Sequence, residues 1–371
     1  MVPFKIVPQI AMYQRYEEFA AAFKIGKGDL LITNEYIFNA GMKDVKFEGE
    51  ILFQERFGSG EPSNAMMDLL FREARKHQYK RVIAVGGGTV IDMAKLLVLG
   101  GNAATADYFN GKVPLVKEKE LLLIPTTCGT GSEMTNISIL EIKEQNTKKG
   151  LAVDALYADY SILIPELLKS LPYQFFATSS IDALIHAMES YVAPKSNKLT
   201  EVFANRAMEM IINGYQKIVE KGPDQRHELI EDFLLASSFA GIAFGNTGVG
   251  AVHALSYPLG GVYHVPHGEA NQQLFTEVFK TYKTIKPMGK IEGLELYLAG
   301  ALNVSLSKVW DELDNLLQRI LPRKPLKEYG MKENEIEIFA DSVLQNQQRL
   351  LQNNYVELSR QQMIDLYSRL Y

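Results

Sequence analysis

The pattern of apolar and polar residues changes character partway along the chain. In the first half, the short runs Asp29-Leu-Leu-Ile-Thr33, Arg81-Val-Ile-Ala-Val85 and Glu120-Leu-Leu-Leu-Ile-Pro125 alternate with amphipathic stretches. Runs this short and this uniformly apolar predict strands covered on both faces. Ser63 is placed to cap a helix reaching about His77, and Val90 to Leu99 reads as another helix. Strand–turn–helix alternation predicts a doubly wound, Rossmann-like parallel sheet. From about Pro172 the period lengthens to that of helices. Helices are expected over Phe175–Val192, Thr200–Glu220, Glu228–Gly241, Ser305 to about Leu321, Lys332 to about Gln352, and Ser359–Leu370. The last opens on Ser359-Arg-Gln-Gln362, a capping-box pattern. The expected organisation is an α/β domain over 1–172 that binds a dinucleotide and an all-α domain over 173–371 that carries metal and substrate. The length of 371 residues agrees, because single cores stop growing near roughly 250–300 residues.

One stretch departs from both patterns. Residues 233 to 268 contain no Asp, Glu, Lys or Arg, yet hold His253, His264 and His267, three of the chain's six histidines. Phe233 to Leu255 is long enough to span a bilayer. Its glycines, Asn246, Thr247 and His253 interrupt it, and Glu231 and Asp232 stand at its entry where basic residues would be expected, so a buried core helix and loop is the expectation. Imidazoles buried there need partners, since a polar group buried without one costs about 1–3 kcal/mol. A divalent cation would serve several at once.

Composition narrows the classes. A net charge of −5 gives no broad basic field, so nucleic acid is not expected as a partner; nor is a membrane. Cys128 is the one cysteine, which fits a reducing compartment, and the N-terminus has no long apolar run of a signal peptide, so a cytoplasmic protein is expected.

Two glycine-rich turns carry the first candidate chemistry. Gly86-Gly87-Gly88-Thr89 lies between a strand and a helix, where close backbone approach and the helix N-terminus suit a pyrophosphate. Asp92, placed in the first turn of that helix, is unsuited to a diphosphate; it either ties down backbone N–H groups or faces another part of a cofactor. Thr126-Thr-Cys-Gly-Thr-Gly-Ser132 is a second donor-rich loop at the carboxyl end of a strand, where open α/β sheets bind ligands. Asn34 follows a strand and could meet an adenosine ribose. Lys148 and Lys149 either contact cofactor or face solvent.

The second half carries the other candidate. Asp182-Ala-Leu-Ile-His186 puts a carboxylate and an imidazole on one helical face. His253 adds a third donor from another helix, and His267 can return on a loop as a fourth. His264 could replace it, carry protons or only hydrogen-bond. One carboxylate and three imidazoles suit Fe2+ or Zn2+. Glu189, three beyond His186, is a candidate acceptor behind the ligands.

At these residues the chain resembles the iron-containing, or group III, alcohol dehydrogenase family. The matching runs are Gly86-Gly-Gly-Thr-Val-Ile-Asp92, Pro125-Thr-Thr-Cys-Gly-Thr-Gly-Ser-Glu133, Asp182-Ala-Leu-Ile-His-Ala-Met-Glu189, and His253 followed by Pro266-His-Gly268. The resemblance implies a dehydroquinate synthase-like architecture and NAD-dependent interconversion of alcohol and aldehyde. It implies a metal on Asp182, His186, His253 and His267, and cofactor contacts at Gly87, Gly88, Thr89, Thr126, Thr127, Thr130, Ser132 and Lys148. Many members have Asp where Asn34 stands, and many have a histidine where Tyr257 stands. Proton transfer is therefore expected through His264, Tyr257 or a ribose hydroxyl. The runs Ala251–Pro258 and His264–Asn271 look like members acting on 4-hydroxybutyrate, which implies a small hydroxy acid or aldehyde substrate, with succinate semialdehyde as the oxidised partner. Another short-chain alcohol or diol, or a lyase like dehydroquinate synthase, are the other readings. Family members commonly form homodimers.

Overall fold

In the computed structural model, which describes residues 4–143 and 147–371, the apolar runs of the first half form the middle of a sheet. The strands are β1 (Gln9–Met12), β2 (Asp29–Thr33), β3 (Glu50–Phe53), β4 (Arg81–Gly86), β5 (Glu120–Pro125), β6 (Ile137–Ile142), β7 (Thr147–Ala152) and β8 (Tyr160–Leu163). Six pair throughout in parallel, in the order β1-β8-β5-β4-β2-β3. All five residues of β2 are buried, as a strand covered on both faces must be. Helices α1 (Tyr16–Phe23), α2 (Glu35–Gly41), α3 (Asn64–Ala74), α4 (Gly88–Leu97) and α5 (Thr105–Phe109) complete this part. Ile32, Met67, Ala84, Ile91 and Leu123 meet in its core. Ser63 caps α3 as expected, its Oγ accepting from Met66 N at 3.3 Å. Helix α4 starts at Gly88, not Val90, so Asp92 sits in its second turn and not its first.

Strands other than β2, β4 and β5 were not legible in the pattern. Strand β1 is an exposed edge, so it lacks the continuous apolar run of an inner strand. β6 and β7, which follow β5 and precede β8 along the chain, form a separate antiparallel pair.

The chain divides into two compact units, Ile6–Leu171 and Pro172–Tyr371, the second joined by Phe4 and Lys5. Phe4 stacks on Phe203, and Lys5 N donates to Asn246 Oδ1 at 2.7 Å. The reading of the extreme N-terminus rests partly on residues 1–3, which lie outside the described residues.

The helical unit holds α6 (Tyr173–Val192), α7 (Lys198–Lys221), α8 (Ile230–Thr247), α9 (Ala251–Tyr263), α10 (His267–Ile285), α11 (Lys290–Leu302), α12 (Val309–Ile320), α13 (Ile336–Asn346), α14 (Gln348–Leu351) and α15 (Arg360–Leu370). The expected helix over Lys332–Gln352 is broken at Gln347. The polar run Gln345-Asn346-Gln347-Gln348-Arg349 there buries little, so packing does not hold one continuous helix. Helix α10 was not anticipated. Its buried face includes Asn271, Gln272, Gln273 and Thr276, which mutes the apolar period. The uncharged stretch forms α8 and α9, bent by 105° at Gly248-Val249-Gly250. Among the described residues no single helix is long and apolar enough to cross a membrane, although this bent pair passes by length and composition.

Candidate functional site

Asp182 and His186 lie one turn apart on α6, a helix whose middle is buried on nearly every side. Helix α9 brings His253 against them. The three residues are 3%, 6% and 2% exposed, and one ligand atom from each lies within 4.8 Å of the others. The facing Nε2 atoms of His186 and His253 are 3.0 Å apart. Asp182 Oδ1 is 3.7 Å from His253 Nε2, and Asp182 Oδ2 is 3.9 Å from His186 Nδ1. The His186 ring stacks between Phe244 and His253, with centroids at 4.3 and 4.7 Å.

Neighbouring polar groups aim these side chains. Glu189 Oε1 accepts from Val252 N at the start of α9 (2.8 Å), and Oε2 accepts from His253 Nδ1 (2.5 Å). Glu189, expected as an acceptor behind the ligand cluster, fills that place at His253. A neutral His253 donating through Nδ1 presents the bare Nε2 lone pair to the cluster. Burial pushes the His253 pKa down, but Glu189 and Asp182 outweigh it and hold the value above that of an ordinary imidazole. Burial likewise pushes Asp182 up, and the three imidazoles with the Asn271 amide outweigh it, holding the carboxyl below the usual range.

His267 lies at the rim. It opens α10, not a loop as the sequence suggested, and its side chain is 34% exposed. Its Nε2 is 3.9 Å from Asp182 Oδ1, and its ring centroid is 5.3 Å from that of His253. Gly268 lets α10 start this close to α6, because a Cβ there would stand 2.2 Å from the Thr178 carbonyl oxygen. Asn271 was missed by sequence reasoning. Its Nδ2 donates to Asp182 Oδ1 at 2.7 Å and lies 3.2 Å from His267 Nε2, while its Oδ1 accepts from Ser256 Oγ at 2.5 Å. The signal was present in the spacing, since Ser256 is three beyond His253 and Asn271 four beyond His267. Tyr257 is half-buried with its ring 6.2 Å from that of His267. His264 is exposed at the end of α9 in a left-handed conformation, φ 54°.

One buried carboxylate and two buried imidazoles, with a third imidazole beside them, fit Fe2+ or Zn2+. Outer partners at Glu189 and Asn271 that fix ring and carboxylate orientation strengthen the fit.

The other candidates cluster at the carboxyl ends of adjacent strands. Thr33 pairs with Val85, and Gly86 with Pro125, so Asn34, Gly87 and Thr126 leave neighbouring strand ends. Gly87 and Gly88 open α4, and a Cβ on Gly88 would come within 3.0 Å of the Thr130 methyl, so the two turns lie against each other. Thr127 and Thr130 are half-buried, and Thr126 is buried. Thr89 Oγ1 donates to Gly60 O at 3.3 Å. Asn34 is buried and donates through Nδ2 to Gln54 Oε1 at 3.2 Å. Lys148 pairs with Glu61. Cys128 is fully buried.

Asp92 and Ser132 face inward. Ser132 Oγ donates to Asp92 Oδ1 at 2.6 Å, and Asp92 Oδ2 accepts from Ile139 N at 2.9 Å. Tying down a backbone N–H was one of the two roles weighed for Asp92. Lys95, a fully buried lysine on α4 that sequence reading passed over, joins them; it stands three beyond Asp92 on an otherwise apolar face.

Two family models match this chain: iron-containing alcohol dehydrogenase over residues 14–165, and the C-terminal part of the Fe-containing alcohol dehydrogenase family over residues 176–371. The chain is 54% identical to the 4-hydroxybutyrate dehydrogenase of Clostridium kluyveri over 367 residues, 99% of each chain. It is 36% identical over 291 residues to long-chain-alcohol dehydrogenase 1 of Geobacillus thermodenitrificans, covering 75% of this chain and 71% of that one. Among solved structures, sulfoacetaldehyde reductase from Bifidobacterium kashiwanohense in complex with NAD+ has the same fold, with a TM-score of 0.86 at 22% identity over 100% of this chain and 98% of that one.

Proposed function

The chain belongs to the iron-containing alcohol dehydrogenase family, and from that premise we propose that it interconverts 4-hydroxybutyrate and succinate semialdehyde with NAD(H) and a bound Fe2+. The observation that carries the substrate is the 54% identity to the Clostridium kluyveri 4-hydroxybutyrate dehydrogenase across 99% of both chains. Asp182, His186 and His253 hold the metal, with His267 as the fourth donor. Bound there, the metal supplies Lewis acidity toward the substrate oxygen, and the dinucleotide gives or takes the hydride.

The chain's own residues bind, orient and move protons. Glu189 fixes the tautomer of His253, and Asn271 holds the Asp182 carboxylate. Gly87, Gly88 and Thr89, with Thr126, Thr127 and Thr130, offer N–H and hydroxyl donors to the pyrophosphate at the start of α4. Asn34 meets the adenosine ribose. Lys148 contributes positive charge at the cofactor. Of the two candidates for proton transfer, the position of Tyr257 beside His267 favours it over the exposed His264. On this reading Tyr257→Phe lowers kcat with little change in metal content, and His264→Asn leaves the pH profile of kcat unchanged. The opposite pair of results would move the relay to His264.

A cytoplasmic homodimer completes the reading. Ile10 and Met12 on the edge strand β1 are 44% and 41% exposed, and an open apolar edge invites pairing with a second copy. Sedimentation equilibrium giving twice the chain mass supports this, and the chain mass alone counts against it.

The deciding experiment follows NADH absorbance with iron-loaded and zinc-loaded protein and a panel of 4-hydroxybutyrate, simple alcohols and diols. The highest kcat/KM is expected with 4-hydroxybutyrate. Preference for an uncharged diol or a longer alcohol would overturn the substrate but not the family. Failure to reduce NAD with any of them would overturn the dehydrogenase reading.

A further inference from the structure

The cofactor-facing turns rest on a buried charged knot. Lys95 is 0% exposed, and its ammonium donates to Ser132 Oγ (2.6 Å), Thr135 Oγ1 (3.2 Å) and Ile137 O (2.6 Å). These bonds use all three of its protons. Ser132 Oγ in turn donates a hydrogen bond to Asp92, whose second oxygen accepts from Ile139 N. One side chain thus joins the helix that begins at Gly88, the loop that carries Thr126 to Ser132, and strand β6.

We propose that Lys95 is a positioning residue for the dinucleotide: acting through Ser132, its ammonium holds the threonine loop in register with the glycine turn of α4. The proposal rests on the dinucleotide reading of those two turns. A neutral amine at Lys95 has one donor fewer, so the loop keeps its place less firmly once that proton leaves.

Burial pushes the Lys95 pKa from 10.5 down to about 8, opposed by Asp92 on its own helix and Glu133 in the turn after the loop, the two charged groups that face it. Between these two values the unfolded chain binds the extra proton and the folded chain does not, so this group favours folding more, not less, as pH rises. Loss of cofactor affinity above about pH 8 therefore would not reflect unfolding driven by Lys95.

The test is NADH affinity by fluorescence titration, with the thermal midpoint measured alongside. For the wild-type chain the NADH Kd should rise severalfold between about pH 7 and pH 9.5, an interval bracketing the lysine's titration, without a matching fall in thermal midpoint. Lys95→Met should bind NADH about tenfold more weakly at neutral pH, as expected for the loss of charged hydrogen bonds, and show a flat profile over the same range. In steady state the KM for NAD should rise while kcat at saturating NAD stays within about twofold, since only cofactor binding is disturbed. If Lys95→Met does not fold, Thr135→Val, which removes one of the three acceptors and keeps the shape, should weaken NADH by a few-fold. Unchanged NADH affinity in Lys95→Met or Thr135→Val, with wild-type binding intact, overturns the role of Lys95 alone. No NADH binding by the wild type overturns the dinucleotide reading and this role with it.

Discussion

Glu189 divides its carboxylate between two tasks, one oxygen receiving the N–H of Val252 and the other the Nδ1–H of His253. Loss of an outer partner of this kind typically costs about 10–100-fold in metal affinity. Glu189→Gln keeps the shape but not the charge, and should weaken iron or zinc retention by that order in a chelator competition; unchanged retention would show that His253 needs no such partner. At this scale the sequence was most readable where spacing encodes a shared helical face, as for Asp182 and His186. It was least readable for partners drawn together by tertiary contact. Asn271, four beyond His267, orients Asp182 from a different helix, and Lys95 was passed over because its acceptors lie some 40 residues away.

Among the elements, α10 depends most on a single residue. The start of the helix approaches α6 so closely that Gly268→Ala would drive a methyl into the Thr178 carbonyl. Overpacking of this kind costs roughly 1–3 kcal/mol, and here it also displaces His267. A lower denaturant midpoint together with weaker metal binding is the expected result; full retention of both would mean that α10 can slide without consequence. Helix α15 offers a simpler case. Ser359 Oγ accepts from Gln362 N at 3.2 Å, and Gln362 Oε1 accepts from Ser359 N at 2.8 Å, so the capping box read from the sequence is formed. Ser359→Ala should cost about 1 kcal/mol, readable as a shift in urea midpoint at constant slope. Capped, strongly amphipathic segments such as α3 and α15 were legible. The break at Gln347 was not, because an exposed polar run there gives no apolar period to read, and the extent of α10 was not, because its buried amides replace the apolar residues that reveal a helical face.

For the whole molecule, metal loading should act on stability by mass action, since the donors are assembled only in the folded chain. At a free metal concentration 100 times Kd the gain is about 2.7 kcal/mol. Added Fe2+ or Zn2+ should therefore raise the thermal midpoint of metal-stripped protein, and His186→Ala should abolish that rise. A rise that persists in the variant would place the binding elsewhere. The division into a parallel-sheet part and a helical part was legible because each class of element has its own apolar period. The order of the strands was not, since pairing partners in a parallel sheet are separated by whole crossovers.

That order has a consequence for how the chain is made. Strand β1 leaves the ribosome well before β8, yet it pairs with it, Gln9 opposite Tyr160. Phe4 and Lys5 just before it wait longer still, for Phe203 and Asn246. The opening segment must therefore stay unengaged until much of the polypeptide has been synthesised, leaving its apolar edge open to other nascent copies. Translation speed and chaperone supply, more than the stability of the finished protein, would then set the yield of correctly closed sheet.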